Sequence, residues 1–276
     1  MYSTIMVNID PFADSTQLLA VVKDVVQRFD AHVIGIAASQ PIQVVQDGGT
    51  LCGEAIELDR TEVRESMKMA EEKFRSMLGH RTRPVEWRSN VSVDSPSSYV
   101  AHQARSADLV MTGVGEMGFS LGGSRRVDTS DLIMQLGRPV MIVPDSVEQL
   151  RGRNIVIGWK NTREARRVTV DALPWLKQAS RVTIIHIVDD GAATSSVHDG
   201  VEDVAGWLHR HGIDARGAVV PKHGDSESQL EAMARAEGAD LIVAGAYGHS
   251  RLKEWVLGGM TADLLLRASI CSLMSH

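Results

Sequence analysis

The residues of this chain best suited to chemistry are four glycines and a threonine near its carboxyl end. In DLIVAGAYGHSRLKEWVLGGMT, residues 240–261, Gly245 closes an apolar run, Gly248 follows after two residues, and Gly258 and Gly259 come after nine more. Met260 and Thr261 then open a helical pattern. Glycine tolerates positive φ and lets backbone amides approach an anion with no Cβ in the way, while the free amides and dipole of a helix start favour negative charge. The Thr261 hydroxyl adds a donor, and His249 is either a phosphate contact or a plain loop residue. The chemistry expected is non-covalent capture of a phosphate group. The same glycines would equally serve as turn punctuation.

Covalent and metal chemistry find little support. There is no G-x-S-x-G turn to expose a nucleophile, no C-x2-C or H-E-x2-H pattern, and no G-x4-G-K-[ST] phosphate loop. His209 and His211 stand two apart on a helical pattern and diverge, so they read as surface histidines. The tryptophans, Trp87, Trp175, Trp207 and Trp255 among them, are scattered and read as packing residues. In the glycine loop the one candidate base is Glu254.

The elements that must position the loop are short apolar runs alternating with helical patterns. In the carboxyl-terminal half the runs are 154–159, 181–188, 215–220, 241–244 and 271–274, and most lack the polar alternation of a one-sided sheet. Strands buried on both faces read this way. Helical patterns fill 163–178, 201–211, 226–237 and 260–268. Earlier in the chain Val63, Met67, Ala70, Phe74 and Met77 fall three or four apart, as on one apolar helix face. Such alternation implies right-handed βαβ crossovers, an open parallel sheet with helices on both sides, and ligands beyond the carboxyl ends of the strands.

The chain contains this unit twice. DLVMTG from Asp108 reads against DLIVAG from Asp240, and DLIMQLGRPVMIVP from Asp131 against DLLLRASICSLMSH from Asp263, both at an offset of 132. IMVNI from Ile5 aligns with IVIGW from Ile155, and HVIGI from His32 with VTIIH from Val182, at an offset of 150. The first copy therefore carries about 18 extra residues, placed in a loop insertion at about 40–56. Two α/β domains are expected, at 1–148 and 152–276.

The first copy keeps an acid and alters the loop. Asp10 ends its first apolar run, and from Gly113 the loop reads GVGEMGFSLGGS, with Glu116 where the second copy has Gly248 and four fewer residues before Gly122. A carboxylate aimed at a polyphosphate repels it. Gly122, Gly123 and Ser124 form either a structural turn in a copy that has lost its ligand or a working second site.

Composition narrows the function classes. With 276 residues, 43% hydrophobic and 23% charged, two ordinary cores are affordable, and a net charge of −6 gives no electrostatic reason to bind nucleic acid. No run of 18 apolar residues and no signal-peptide pattern is present, so membrane insertion and secretion are not expected. Cys52 and Cys271 have no mate at metal-ligand spacing, which suits a reducing, cytoplasmic setting.

Gly245-x2-Gly248-x9-Gly258, following DLIVAG and preceding a last helix and strand, resembles the ATP-binding signature of the universal stress protein family. The resemblance spans essentially the whole chain, since IVIGWKNTREARRVTVDALPWLKQASRVTIIHIVDD is similar to the family's first strand, helix and second strand. It implies a Rossmann-like, five-stranded parallel α/β fold in tandem. ATP or another adenine nucleotide, with or without Mg2+, is the implied cofactor. Gly245, Gly248, Gly258, Gly259, Met260 and Thr261 would surround the phosphates, with His249 beside them. Trp159, Lys160 and Val188 would face the ribose and adenine. Two departures stand out. Gly259 takes the place of the family's Ser or Thr, and Lys160 that of its Asp; Lys160 either pairs with a phosphate or is a solvated strand-end lysine.

The resemblance also implies pairing of two domains through their last strands, MIVP from Met141 and SLMS from Ser272, as a pseudo-dimer within one chain. A homodimer of two chains is left open. Three functions fit: a nucleotide-binding stress or signalling protein, a slow ATPase, and a nucleotide-free interaction protein.

Overall fold

Strands buried on both faces need helices above and below, and the chain supplies them in alternation. The computed structural model describes residues 1–42, 53–79, 84–114, 125–189, 194–224, 226–246 and 269–276. Two compact units divide the chain, residues 2–138 and residues 139–276 together with Met1. Among the described residues no helix is long and apolar enough to cross a membrane.

The first copy runs β1 (Thr4–Asn8), α1 (Thr16–Phe29), β2 (His32–Ser39), α2 (Gly53–Leu78), β3 (Glu86–Val91), α3 (Pro96–Gln103), a short 3-10 turn (Ala104–Ser106), β4 (Leu109–Gly113), α4 (Thr129–Leu136) and β5 (Val140–Val143). In the 2–138 unit the strands lie in the order β3-β2-β1-β4, each parallel to its neighbours. The α2 face expected from the sequence is buried at Val63, Met67, Ala70 and Phe74, but its last member is Leu78, not Met77. Spacing of four from Phe74 keeps Leu78 on the stripe, while Met77 drifts off it. Of the expected insertion, residues 43–52 lie outside the described set, and Gly53 already begins α2.

The second copy runs β6 (Asn154–Gly158), α5 (Arg163–Asp171), α6 (Leu173–Leu176), β7 (Arg181–Val188), α7 (Ser195–Arg210), β8 (Ala215–Pro221), α8 (Ser226–Ala236), β9 (Leu241–Gly245) and β10 (Cys271–Ser275). Within the 139–276 unit the order is β5-β10-β9-β6-β7-β8. All these neighbours are parallel except β5, which runs antiparallel to β10 with Met141 opposite Leu273. That pairing places β5, the last strand of the first copy, in the compact unit of the second.

Two helix expectations need correction. The helix expected over 163–178 is two, α5 and α6, broken at Ala172, because Pro174 cannot donate to the preceding turn and restricts the residue before it. The expected 201–211 helix begins earlier, at Ser195, since the polar segment after Thr194 supplies its first turn. The expected 260–268 helix lies outside the described residues.

The winding reverses beside β6. Gly158 and Ala244 are in register, so Gly245 faces the opposite side of the sheet. A Cβ on Gly158 would meet Leu230 of α8, and one on Gly245 would meet the first turn of α5. α8 and α5 therefore cover opposite faces, and the carboxyl ends of β6 and β9 flank the point where the topology switches. In the first copy β1 and β4 stand in the same relation.

Candidate functional site

The second-copy crevice is built from the ends of β6, β7 and β9 and the start of α5. At the end of β6 the Trp159 amide donates to the Ile185 carbonyl (2.8 Å), extending the ladder to β7, and the indole is buried. Lys160 follows in an exposed position, and its carbonyl accepts from the Thr162 amide at 2.7 Å. Thr162 caps α5: it is extended, and its hydroxyl accepts from the Ala165 amide at 3.3 Å. Val188, at the end of β7, is buried, with its carbonyl accepting from the Lys222 amide at 2.7 Å.

Gly245 is the floor. A Cβ there would lie 2.6 Å from the Ala165 nitrogen and 2.8 Å from the Glu164 carbonyl carbon, so the missing side chain is what lets α5 start against β9. After Gly245 the Ala246 amide donates to the Ser275 carbonyl (2.9 Å), tying the strand exit to β10. Gly248, His249, Gly258, Gly259, Met260 and Thr261 lie outside the described residues.

Sequence reasoning missed two residues of this crevice. Glu164, in the first turn of α5, has a side chain only 7% exposed and hydrogen-bonded by Arg163. Burial pushes its carboxyl upward, but the Arg163 guanidinium, its own amide and the Thr162 hydroxyl outweigh that and hold it below the usual carboxylate range. His186, on β7, is half-buried, and its Nδ1 has no hydrogen-bond partner among the described residues. Burial first, and the Lys160 charge second, push its imidazole below the ordinary histidine value. A helix-start signal (N-T-R-E) could have flagged Glu164; nothing local brings Lys160 and His186 together.

The first-copy crevice is furnished differently. Where the second copy has Gly158 and Ala244, the first has Asn8 and Thr112, in register and joined by a buried amide-to-hydroxyl hydrogen bond of 3.1 Å. The Asn8 Oδ1 has no partner among the described residues. Asp10 is engaged at both oxygens, one accepting from the Phe12 amide (2.9 Å) and the other paired with Arg126 (3.1 Å). Arg125 and Arg126 both lie over the Phe12 ring, 5.6 and 5.4 Å from its centroid. Arg125 also pairs with the buried Asp59 (2.6 Å), whose second oxygen accepts from the Ile42 amide (2.7 Å). Gly113 ends β4, and no described residue other than its chain neighbours lies within 4 Å of where its Cβ would stand. Gly122, Gly123 and Ser124 fall outside the described residues. Among the described residues no group of three or more His, Cys, Asp or Glu could hold a metal ion.

This geometry of a parallel sheet with a switch-point crevice has a sequence counterpart, because residues 152–274 match the Universal stress protein family. The chain carries a universal stress protein domain. Two solved structures resemble this chain over nearly its whole length. One is a universal stress protein from Archaeoglobus fulgidus DSM 4304, 14% identical, covering 99% of this chain and 95% of that one at a TM-score of 0.71. The other is a functionally unknown protein from Pseudomonas aeruginosa PAO1, 13% identical, covering 99% and 92% at a TM-score of 0.59. At those identities the likeness is one of fold. No curated protein sequence matches this chain.

Proposed function

We propose that the protein is a tandem universal stress protein whose second copy, residues 152–276, holds one adenine nucleotide, ATP with or without Mg2+ in the first instance, while the first copy, residues 1–148, holds none or holds it weakly. The observation that carries this reading is the contrast between the two switch points. In the second copy Gly158 and Ala244 leave the strand ends bare of polar side chains, and Gly245 leads directly toward the glycine loop. In the first, Asn8 and Thr112 occupy the matching positions and Asp10 is spent on Arg126 and the Phe12 amide.

In this reading Lys160 faces the nucleotide from the end of β6 and Val188 from the end of β7, while Gly248, Gly258, Gly259 and Thr261 meet the phosphates. Binding, not turnover, is the function. Glu164 is the carboxylate that the described crevice offers as a base, and its bond from Arg163 makes it a weak one. The nucleotide then stabilises one state of the fold that a partner reads in a cytoplasmic stress response. The antiparallel register of β5 and β10 supports an intrachain pseudo-dimer of the two copies.

Mass spectrometry of small molecules released from the denatured, purified protein tests the reading. Near-stoichiometric adenine nucleotide supports it. Protein that releases none, and takes up none on incubation with ATP and Mg2+, is instead a nucleotide-free interaction protein.

A further inference from the structure

A separate pocket of about 200 Å3 lies in the 2–138 unit, between α2 and β3. We propose that it binds a small aromatic carboxylate, with the ring against Trp87 and the carboxylate on Arg64.

Three observations carry this. The first is the floor. Met67, Trp87 and Val91 line the pocket, and Met67 is buried while Trp87 and Val91 are only partly covered. The indole is held in place from behind: its ring lies 5.5 Å from that of Phe74, tilted by 45°, and a Cβ on Gly35 would stand 2.5 Å from its Cε3. Glycine at position 35 is thus what lets the indole pack against β2, and contacts from Gly35 and Phe74 restrict the ring before any ligand binds. The second is the charge at the rim. Arg64, Lys68 and Glu71 lie along one face of α2 beside the pocket. Glu71 is already paired with Arg75 at 2.8 Å, and Lys68 reaches Glu72 at 4.0 Å. Arg64 is exposed and has no carboxylate partner among the described residues. A guanidinium in the lining beside Met67, Trp87 and Val91 matches a planar carboxylate on an aromatic ring, which a guanidinium can hold bidentately, with Ser89 and Asn90 adding polar groups to the wall.

The third is size and access. The volume falls below the roughly 300–1,000 Å3 of a drug-sized pocket, which selects a ligand of one or two rings. β3 ends the strand order of its unit, so the pocket opens at a sheet edge. A triphosphate is excluded by the same features, because its charge exceeds what Arg64 and Lys68 offer. The site is distinct from the crevice at the ends of β6 and β9.

The test uses the full chain, benzoate as the probe and benzyl alcohol as its uncharged counterpart. Nitrogen–proton correlation spectra follow the Trp87 indole N–H, identified by its loss in Trp87→Phe. Benzoate is expected to shift that signal saturably at one site, with saturating ATP leaving the shift unchanged. Arg64→Gln and the use of benzyl alcohol should each weaken binding about tenfold, since one charge-assisted hydrogen-bond pair is lost. Arg64→Lys, which keeps the charge and loses the fork, should fall between. Arg64 is exposed, so an unchanged thermal midpoint will show that the variants are folded. No Trp87 shift in the millimolar range, an equal affinity in Arg64→Gln, or displacement of benzoate by ATP would each overturn the proposal.

Discussion

Gly245 and Ala165 approach so closely that a Cβ on the glycine would stand 2.6 Å from the alanine amide nitrogen. The contact is between backbones, so neither side can swing away. Gly245 is therefore required by the packing of α5 on β9, whatever it also does for a phosphate.

Gly245→Ala should destabilise the protein by about 1–3 kcal/mol, the usual cost of overpacking. Gly158→Ala is the control, because its Cβ would meet the tip of the flexible Leu230 side chain at 2.7 Å. It should cost less than Gly245→Ala, since Leu230 can rotate and the unfolded chain loses entropy when glycine is replaced. Urea denaturation midpoints will rank the two, and equal costs would show that the α5 contact is not rigid.

Lys160 and His186 give a second expectation. Burial and the Lys160 charge both disfavour the imidazolium, so His186 should titrate below its ordinary 6.5 by proton NMR. Lys160→Met should raise that value while leaving it below 6.5, because burial, the larger cause, remains. The sign for stability follows. The unfolded chain takes up the proton first as pH falls, so this group lowers stability from pH 6.5 down to its folded value and no further. A Lys160→Met protein with an unmoved His186 titration would refute the proximity.

The two adjacent arginines of the first copy should differ in cost. Arg125 meets Asp59, whose side chain is 6% exposed, whereas Arg126 and Asp10 are each about a third exposed at 34% and 31%. Arg125→Gln strips a charged hydrogen bond from a buried carboxylate and should cost about 1.5–3 kcal/mol. Arg126→Gln breaks a solvent-screened pair and should cost less than about 1 kcal/mol. Thermal denaturation of the two variants decides, and a reversed order would contradict the account.

Much of this architecture was legible in the sequence because it depends on local patterning. Apolar runs such as LIVAG and RVTIIHIV carry no polar alternation, which only strands covered on both faces allow, and their repetition at two offsets exposed the tandem copies. Where the reading slipped, one residue decided: Pro174 divides a pattern whose apolar spacing is otherwise continuous. The sites were less legible. Arg125 and Asp59 are 66 residues apart, and Asp10 and Arg126 farther still, so no window joins them. Gly245 was read for its freedom toward a ligand, yet its closest neighbour is a helix start that the sequence does not place. Trp87 read as ordinary packing, because its half-covered state depends on Gly35 and Phe74 reaching it from other elements.

The central claim, one nucleotide held by the second copy alone, is tested most directly by titration calorimetry of ATP with Mg2+ into the full chain. One site per chain is predicted, with stabilisation of about 2.7 kcal/mol at one hundred times the dissociation constant. Gly258→Val should abolish binding in a protein that stays folded, since a branched side chain would fill the space of a phosphate. Gly122→Val should leave it intact. Two equal sites per chain, or undiminished binding in folded Gly258→Val, would contradict the account.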